Sequence, residues 1–197
     1  MHLSRNVPAA GRGRGCEDGG VASRGRPSES EIRYPDEHVA ALARLYREHP
    51  AWRQAAGRIS EESTSAVWFR HRPGEPWQLV REGGETHLRP GHAPDPDFVF
   101  LFGPTSIGAL ADAGREVGDF ALRLFELMID PDEERRVGFR IAVPFVRLAR
   151  RGYVGLLLGS GPRVAAFAAR HGVRGVLSLR NLVRGLARAE PFDWEAD

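Results

Sequence analysis

The stretch spanning residues 97–142 constrains this chain more than any other. It opens with an uninterrupted apolar run, Phe98-Val99-Phe100-Leu101-Phe102, closed by Gly103-Pro104. Two apolar segments of helical period follow, residues 106–113 and 116–128. A charged turn, Asp130-Pro131-Asp132-Glu133-Glu134, then leads into a second strand pattern over residues 137–142. A strand that is apolar at every position is expected to be covered on both faces. Strand, two greasy helices and strand together carry more apolar surface than a small sheet needs to close itself. No cluster of polar catalytic residues interrupts them. The combination points toward holding something hydrophobic rather than toward chemistry.

The flanking segments read as follows. Residues 1–33 are rich in Gly, Arg, Ser and Pro and poor in apolar side chains. They cannot bury enough surface to offset the entropy of ordering, so they are expected to be disordered. Residues 35–49 read as a helix with Pro35 in the first turn, Asp36 and Glu37 near its positive end, and Val39, Leu42, Leu45 and Tyr46 on one stripe. His49-Pro50 ends it, because a residue before proline avoids the helical region. Residues 51–58 suit a further short helical turn. A meander is expected next, with strands at 64–70, 77–81 and 86–89 and turns at Pro73-Gly74 and Glu82-Gly83-Gly84-Glu85. Beyond the central stretch, 144–151 reads as a helix with Phe145 and Leu148 inward, and 152–161 is ambiguous between a strand and a buried helical turn. Residues 162–171 form a helix ended by Gly172, 173–189 a last helix, and 190–197 an acidic tail.

Length suits one domain plus tails: a tail over 1–33, a domain over 34–189 and a short tail over 190–197. A single cysteine, Cys16, excludes an internal disulfide framework and a cysteine zinc site, and a reducing, cytoplasmic setting is the default expectation. The apolar run at 154–158 falls far short of the ~20 residues a membrane span needs. Arg12, Arg14, Arg24 and Arg26 are not followed by an apolar segment, so they do not read as a secretory signal. All 28 basic residues are arginine, which rules out a Schiff-base lysine and a phosphate-loop lysine. Twelve arginines and no acid lie between Arg135 and Arg188, so a positive field over one face is expected.

The order helix, three-strand meander, apolar strand, two helices, strand, helices resembles the sterol carrier protein type 2 (SCP2) family over about residues 39–171. The resemblance is carried by Trp77 opening the second strand, Asp95-Pro96-Asp97 leading into the apolar strand, the helix pair after Pro104 and the return strand at 137–142. It implies an α/β domain of the α+β type: a five-stranded, mainly antiparallel sheet covered on one face by helices, with an apolar tunnel between them that holds a sterol, fatty acyl or isoprenoid ligand.

The candidate lining is Phe100, Phe102, Ile107, Leu110, Phe120, Leu124, Phe125, Met128, Phe139 and Ile141; the plainer account is that these residues pack against one another. Each buried ligand methylene contributes up to ~0.8 kcal/mol, so even a half-filled tunnel would hold an acyl chain. Arg180, Arg184 and Arg188 share one face of the expected last helix and suit an anionic membrane surface, against the plainer reading of a solvated helix face. Nucleic acid is disfavoured, since no recognised reading motif is present and the aromatics are not interleaved with the basic block as a base-stacking platform requires. His87 and His92 are expected near Asp95 and Asp97, with His71 across the meander from them, but their spacing matches no metal motif and surface-loop roles fit better. Gly159-Ser160-Gly161 lacks the spacing of a nucleophile elbow, and Gly103-Pro104-Thr105-Ser106 reads as a helix cap. No catalytic residue, metal or cofactor is expected. The leading reading is non-catalytic binding or transfer of a hydrophobic ligand; the other is a ligand-free scaffold or accessory protein acting through protein or anionic-membrane contacts.

Overall fold

The computed structural model describes residues 34–171. The expectations for the N-terminal tail, Gly172, the helix bearing Arg180, Arg184 and Arg188, and the acidic tail lie outside the described residues.

The first helix, α1 (Glu37–Glu48), starts two residues later than Pro35. Asp36 stands before it in an extended conformation and its Oδ1 accepts the His38 and Val39 N–H groups at 2.9 and 3.0 Å. Two of the amides left open at a helix start are thereby satisfied. Pro50 holds His49 extended (ψ 122°), which ends α1 and begins α2 (Pro50–Ala56).

β1 (Thr64–Phe69), β2 (Arg72–Glu82) and β3 (Glu85–Pro90) form the expected meander. Gly83 and Gly84, both at positive φ, make the tight turn between β2 and β3. The first turn is not at Pro73-Gly74. Phe69 pairs directly with Arg72, so Arg70-His71 makes the turn and β2 runs on from Arg72. Residues 73–76 fall where neither neighbouring strand is in register, so the missing proline N–H groups cost no ladder bond.

β4 (Phe98–Phe102), α3 (Ser106–Ala111), α4 (Val117–Met128) and β5 (Val137–Ile141) follow, then α5 (Phe145–Arg150), α6 (Tyr153–Leu158) and α7 (Pro162–Arg170). The ambiguous segment after Arg151 is therefore helical. The expected cap before α3 is absent in its side-chain form. Ser106 Oγ donates to the Gly103 carbonyl at 2.7 Å and Thr105 Oγ1 to the Glu134 carbonyl at 3.0 Å instead.

The five strands lie in the order β3-β2-β1-β4-β5, with β1 and β4 parallel and every other pair antiparallel. This is the expected α+β class. Strand alternation sends Val67, Phe69, Leu79, Leu88, Phe100, Phe102 and Val137 to the helical side, where they join Val39, Leu42, Tyr46, Ile107, Leu110 and Leu127 in the main core. β4 is nearly dry on both faces, as its composition requires. Its odd residues, Val99 and Leu101, bury with Trp68 in a small cluster on the opposite face, where Arg140 stands across from Val99.

Candidate functional site

The inner face of the sheet and the helices α2, α4, α5 and α6 do not close completely. They enclose a cavity of about 610 Å³, within the ~300–1,000 Å³ range of small-molecule sites. The sheet supplies Leu79, Phe98, Phe100, Phe139 and Ile141, and α4 supplies Val117, Phe120, Ala121, Leu124, Phe125 and Met128. α5 and α6 supply Phe145, Leu148, Tyr153, Val154, Leu156 and Leu157 on the far side. Aromatic rings pack along the floor: Phe98 is 5.2 Å from Phe139 and 4.7 Å, edge-on, from Tyr153, and Phe100 is 5.3 Å from Phe139.

Of the residues singled out from sequence, Phe100, Phe120, Leu124, Phe125, Met128, Phe139 and Ile141 line the cavity. Phe102, Ile107 and Leu110 do not. They are at most 2% exposed and pack in the main core with α1 residues such as Leu42 and Tyr46. The difference is one of depth. Phe102 on β4 shares the closed core with Ile107 and Leu110 of α3 and with α1, away from the space that α4, α5 and α6 bound.

Burial alone would make α6 an odd helix. Tyr-Val-Gly-Leu-Leu-Leu is apolar throughout, yet none of its residues is buried. The reason is the space beneath it: Val154, Leu156 and Leu157 line the cavity rather than a packed core. At the rim, Val146 lines the cavity while 70% exposed, and Leu158 on α6 is 68% exposed.

The α5–α6 pair is fastened to the sheet by charge. Asp97, immediately before β4, is fully buried, and its carboxylate accepts from Arg151 Nη1 at 2.5 Å and from the Tyr153 hydroxyl at 3.3 Å. Arg147 Nε lies 3.5 Å from the same carboxylate, and Arg147 Nη2 pairs with Asp95 at 2.5 Å. That Arg147 bond holds the Asp95 carboxyl below its ordinary value. Burial, reinforced by the Asp97 charge, pushes the Tyr153 hydroxyl well above the usual tyrosine range. Between the two helices, Gly152 adopts φ +90°, and a Cβ there would sit 2.2 Å from the Arg58 carbonyl oxygen. Only glycine lets the α5–α6 turn approach the end of α2 so closely.

Among the described residues, five arginines of the basic segment after Glu134 pair with acids that precede it in sequence. Arg135 pairs with Asp130, Arg136 with Glu133, Arg147 with Asp95, Arg151 with Asp97 and Arg163 with Asp119. The arginines of the expected positive face at positions 174, 180, 184 and 188 lie outside the described residues.

One end of the cavity is polar. Ser63, Ser65, Arg81 and Thr86 line it there, and Thr86 sits directly across the β2–β3 ladder from Arg81. The Trp52 indole N–H donates to Thr86 Oγ1 at 3.0 Å. The Arg81 side chain is only 7% exposed, and its nearest acid is Glu61, at 3.9 Å. Sequence reasoning missed Arg81. The alternation Trp77, Leu79, Arg81 carried the signal, since two inward apolar residues at period two place the arginine inward as well.

Of the histidines singled out, two have defined partners. His71 Nε2 donates to Asp36 Oδ2 at 3.1 Å, and His92 packs edge-on against Trp68. Among the described residues, Asp36, His38 and His71 offer metal-ligand atoms within 4.8 Å of one another. Asp36, however, is already spent on capping α1 and on Arg72, whose guanidinium lies 3.3 Å away, and that positive charge works against a cation.

No known family matches the chain, and no curated protein does either. Among solved structures, one described as the UbiJ-SCP2 ubiquinone synthesis protein is similar at TM-score 0.37 and 14% identity, over 59% of this chain and 82% of that one. A mycinamycin-pathway methyltransferase, MycE, is similar at TM-score 0.22 and 13% identity, over 74% of this chain and 48% of its own. Likenesses this distant assign neither a family nor a function. No helix among the described residues is long and apolar enough to cross a membrane.

Proposed function

We propose that the protein binds a hydrophobic small molecule, of acyl, isoprenoid or sterol type, in the cavity between sheet and helices, and does no chemistry on it. The observation that carries the reading is the cavity itself: about 610 Å³, walled by phenylalanine and leucine and reached beside the exposed Val146. Burying ten ligand methylenes would contribute roughly 8 kcal/mol before the costs of association. Catalysis finds little to work with. The lining contains hydroxyls and one guanidinium but no histidine, carboxylate or cysteine, and the carboxylate that the Tyr153 hydroxyl meets, Asp97, is engaged by Arg151. The ligand would be handed to or taken from a membrane or a partner enzyme, which makes the protein a carrier.

The test is native mass spectrometry of the protein purified from cells, with lipid extraction, followed by uptake of a fluorescent fatty acid. A bound apolar molecule near one-to-one, or saturable uptake, supports the proposal. A ligand-free mass with no uptake would leave the scaffold reading.

A further inference from the structure

A cavity built only to hold hydrocarbon has no use for a buried cation, yet Arg81 lies within this one. Its Nε and Nη1 are buried and have no hydrogen-bond partner among the described residues. Its Nη2 is 3.9 Å from Glu61 Oε1, beyond hydrogen-bond reach. Glu61 is not poised to close that gap. Its two oxygens already accept the Gly84 and Gly83 N–H groups, at 2.6 and 3.2 Å. A guanidinium cannot shed its charge by losing a proton, and an unpaired charge out of water is costly. Something with negative charge belongs beside it.

We infer that the ligand is an elongated amphiphile whose anionic oxygen head group, a carboxylate or a phosphate monoester, sits against Arg81. The inference rests on the cavity being a ligand site. Three observations carry it. The unpartnered nitrogens are on a side chain that lines the cavity. The surrounding residues Ser63, Ser65 and Thr86 put hydroxyls at the same end, so the head group meets further polar groups there. Apart from Ser160 and the Tyr153 hydroxyl, the rest of the lining is apolar, and it runs from β2 across β1 and β4 to β5. Three strand spacings separate Arg81 from Phe139 and Ile141, about 14 Å, which is room for a chain and not only a head. The head group is therefore held on the β2–β3 side and the tail points toward β5 and α5, where Val146 marks the rim. A neutral sterol or alcohol fills the same volume but leaves the guanidinium without an anion at its Nε and Nη1.

Affinities of tetradecanoate, tetradecyl phosphate and tetradecanol for the full chain, measured by calorimetry, separate the possibilities. The wild-type protein is expected to bind at least one of the two anions about tenfold to a hundredfold more tightly than the alcohol, and their ratio tells carboxylate from phosphate. Arg81→Met should abolish that preference while leaving alcohol binding intact, and Arg81→Lys should keep part of it. Thermal melts of the ligand-free variants guard against misfolding: Arg81→Met should be no less stable than wild type, since it removes a poorly paired buried charge. Equal binding of all three probes by the wild type, or an anion preference that survives Arg81→Met, overturns the inference while leaving the cavity reading intact. Binding of none of the three overturns both.

Discussion

Replacing Asp97 by Asn tests the claim that charge, rather than apolar packing, holds the far wall of the cavity in place. Asp97 is fully buried and is met by Arg151, itself only 13% exposed, at 2.5 Å. Removing one partner of a buried pair costs about 3–5 kcal/mol, because the other charge is left uncompensated. Arg147 is 30% exposed and keeps Asp95 as a partner, so it can turn outward at little cost. Asn also retains an acceptor for Arg151. Those two allowances put the expected loss at the low end, about 3 kcal/mol, which lowers the melting temperature by about 6–12 °C for a chain of this size. The loss should be measured by urea unfolding of the full chain, together with Arg151→Met and the double variant. The double variant should be more stable than Asp97→Asn alone, because no buried charge is then orphaned. Hydrogen exchange should show protection lost first in α5 and α6. A loss under 1 kcal/mol for Asp97→Asn, with the two substitutions simply additive, would refute the reasoning and leave Phe98, Leu148 and Tyr153 packing as the fastening.

The distinction between core and cavity predicts opposite outcomes for two phenylalanines that sequence treats alike. Phe102→Ala, in the closed core, should cost about 3–5 kcal/mol of stability, whereas Phe139→Ala, on the cavity floor, should cost less and change ligand affinity more, as unfolding and probe titrations will show. Gly152→Ala should cost about 2 kcal/mol and open α5–α6 away from α2; a melt unchanged from wild type would contradict the contact with Arg58. For Asp36, burial pushes the carboxyl up, but the Val39 N–H, the His71 ring and the His38 N–H outweigh it and hold it below 3.8. A group depressed on folding stabilises the protein above its unfolded value and ceases to do so as pH falls through its folded value. Stability should therefore decline below about pH 4, and Asp36→Asn should flatten that part of the curve.

The strand and helix pattern was largely legible because it rests on local periodicity. Phe98-Val99-Phe100-Leu101-Phe102 reads as a doubly covered strand, and Phe120, Leu124 and Met128 mark the inner stripe of α4. The Pro73-Gly74 turn was misread because the dipeptide is equally compatible with a strand segment whose neighbours need no N–H from it. Residues 152–161 stayed ambiguous because a six-residue apolar run is too short to show a period. What sequence could not show is depth. Phe102 and Phe100 lie two residues apart on one face of β4, and only the assembled fold shows that Phe102 is closed in the core while Phe100 also lines a space. Asp97 reads as one of several acids in a loop, since its partners, Arg147, Arg151 and Tyr153, arrive fifty residues later.

The parallel pairing of β1 with β4 sets the order in which the sheet can be completed during synthesis. β1, β2 and β3 are joined by two tight turns and can pair as soon as they leave the ribosome. One edge of β1 then stays open until Phe98–Phe102 emerges. β4 in turn offers an open edge until Val137–Ile141 arrives, and it is apolar on both faces with no charge or proline inside it. An uncovered strand of that composition is a template for pairing with other chains. A nascent or cleaved chain that stops between Phe102 and Val137 thus ends at its most adhesive point. The strand that floors the cavity is also the one whose solubility depends most on the chain being finished.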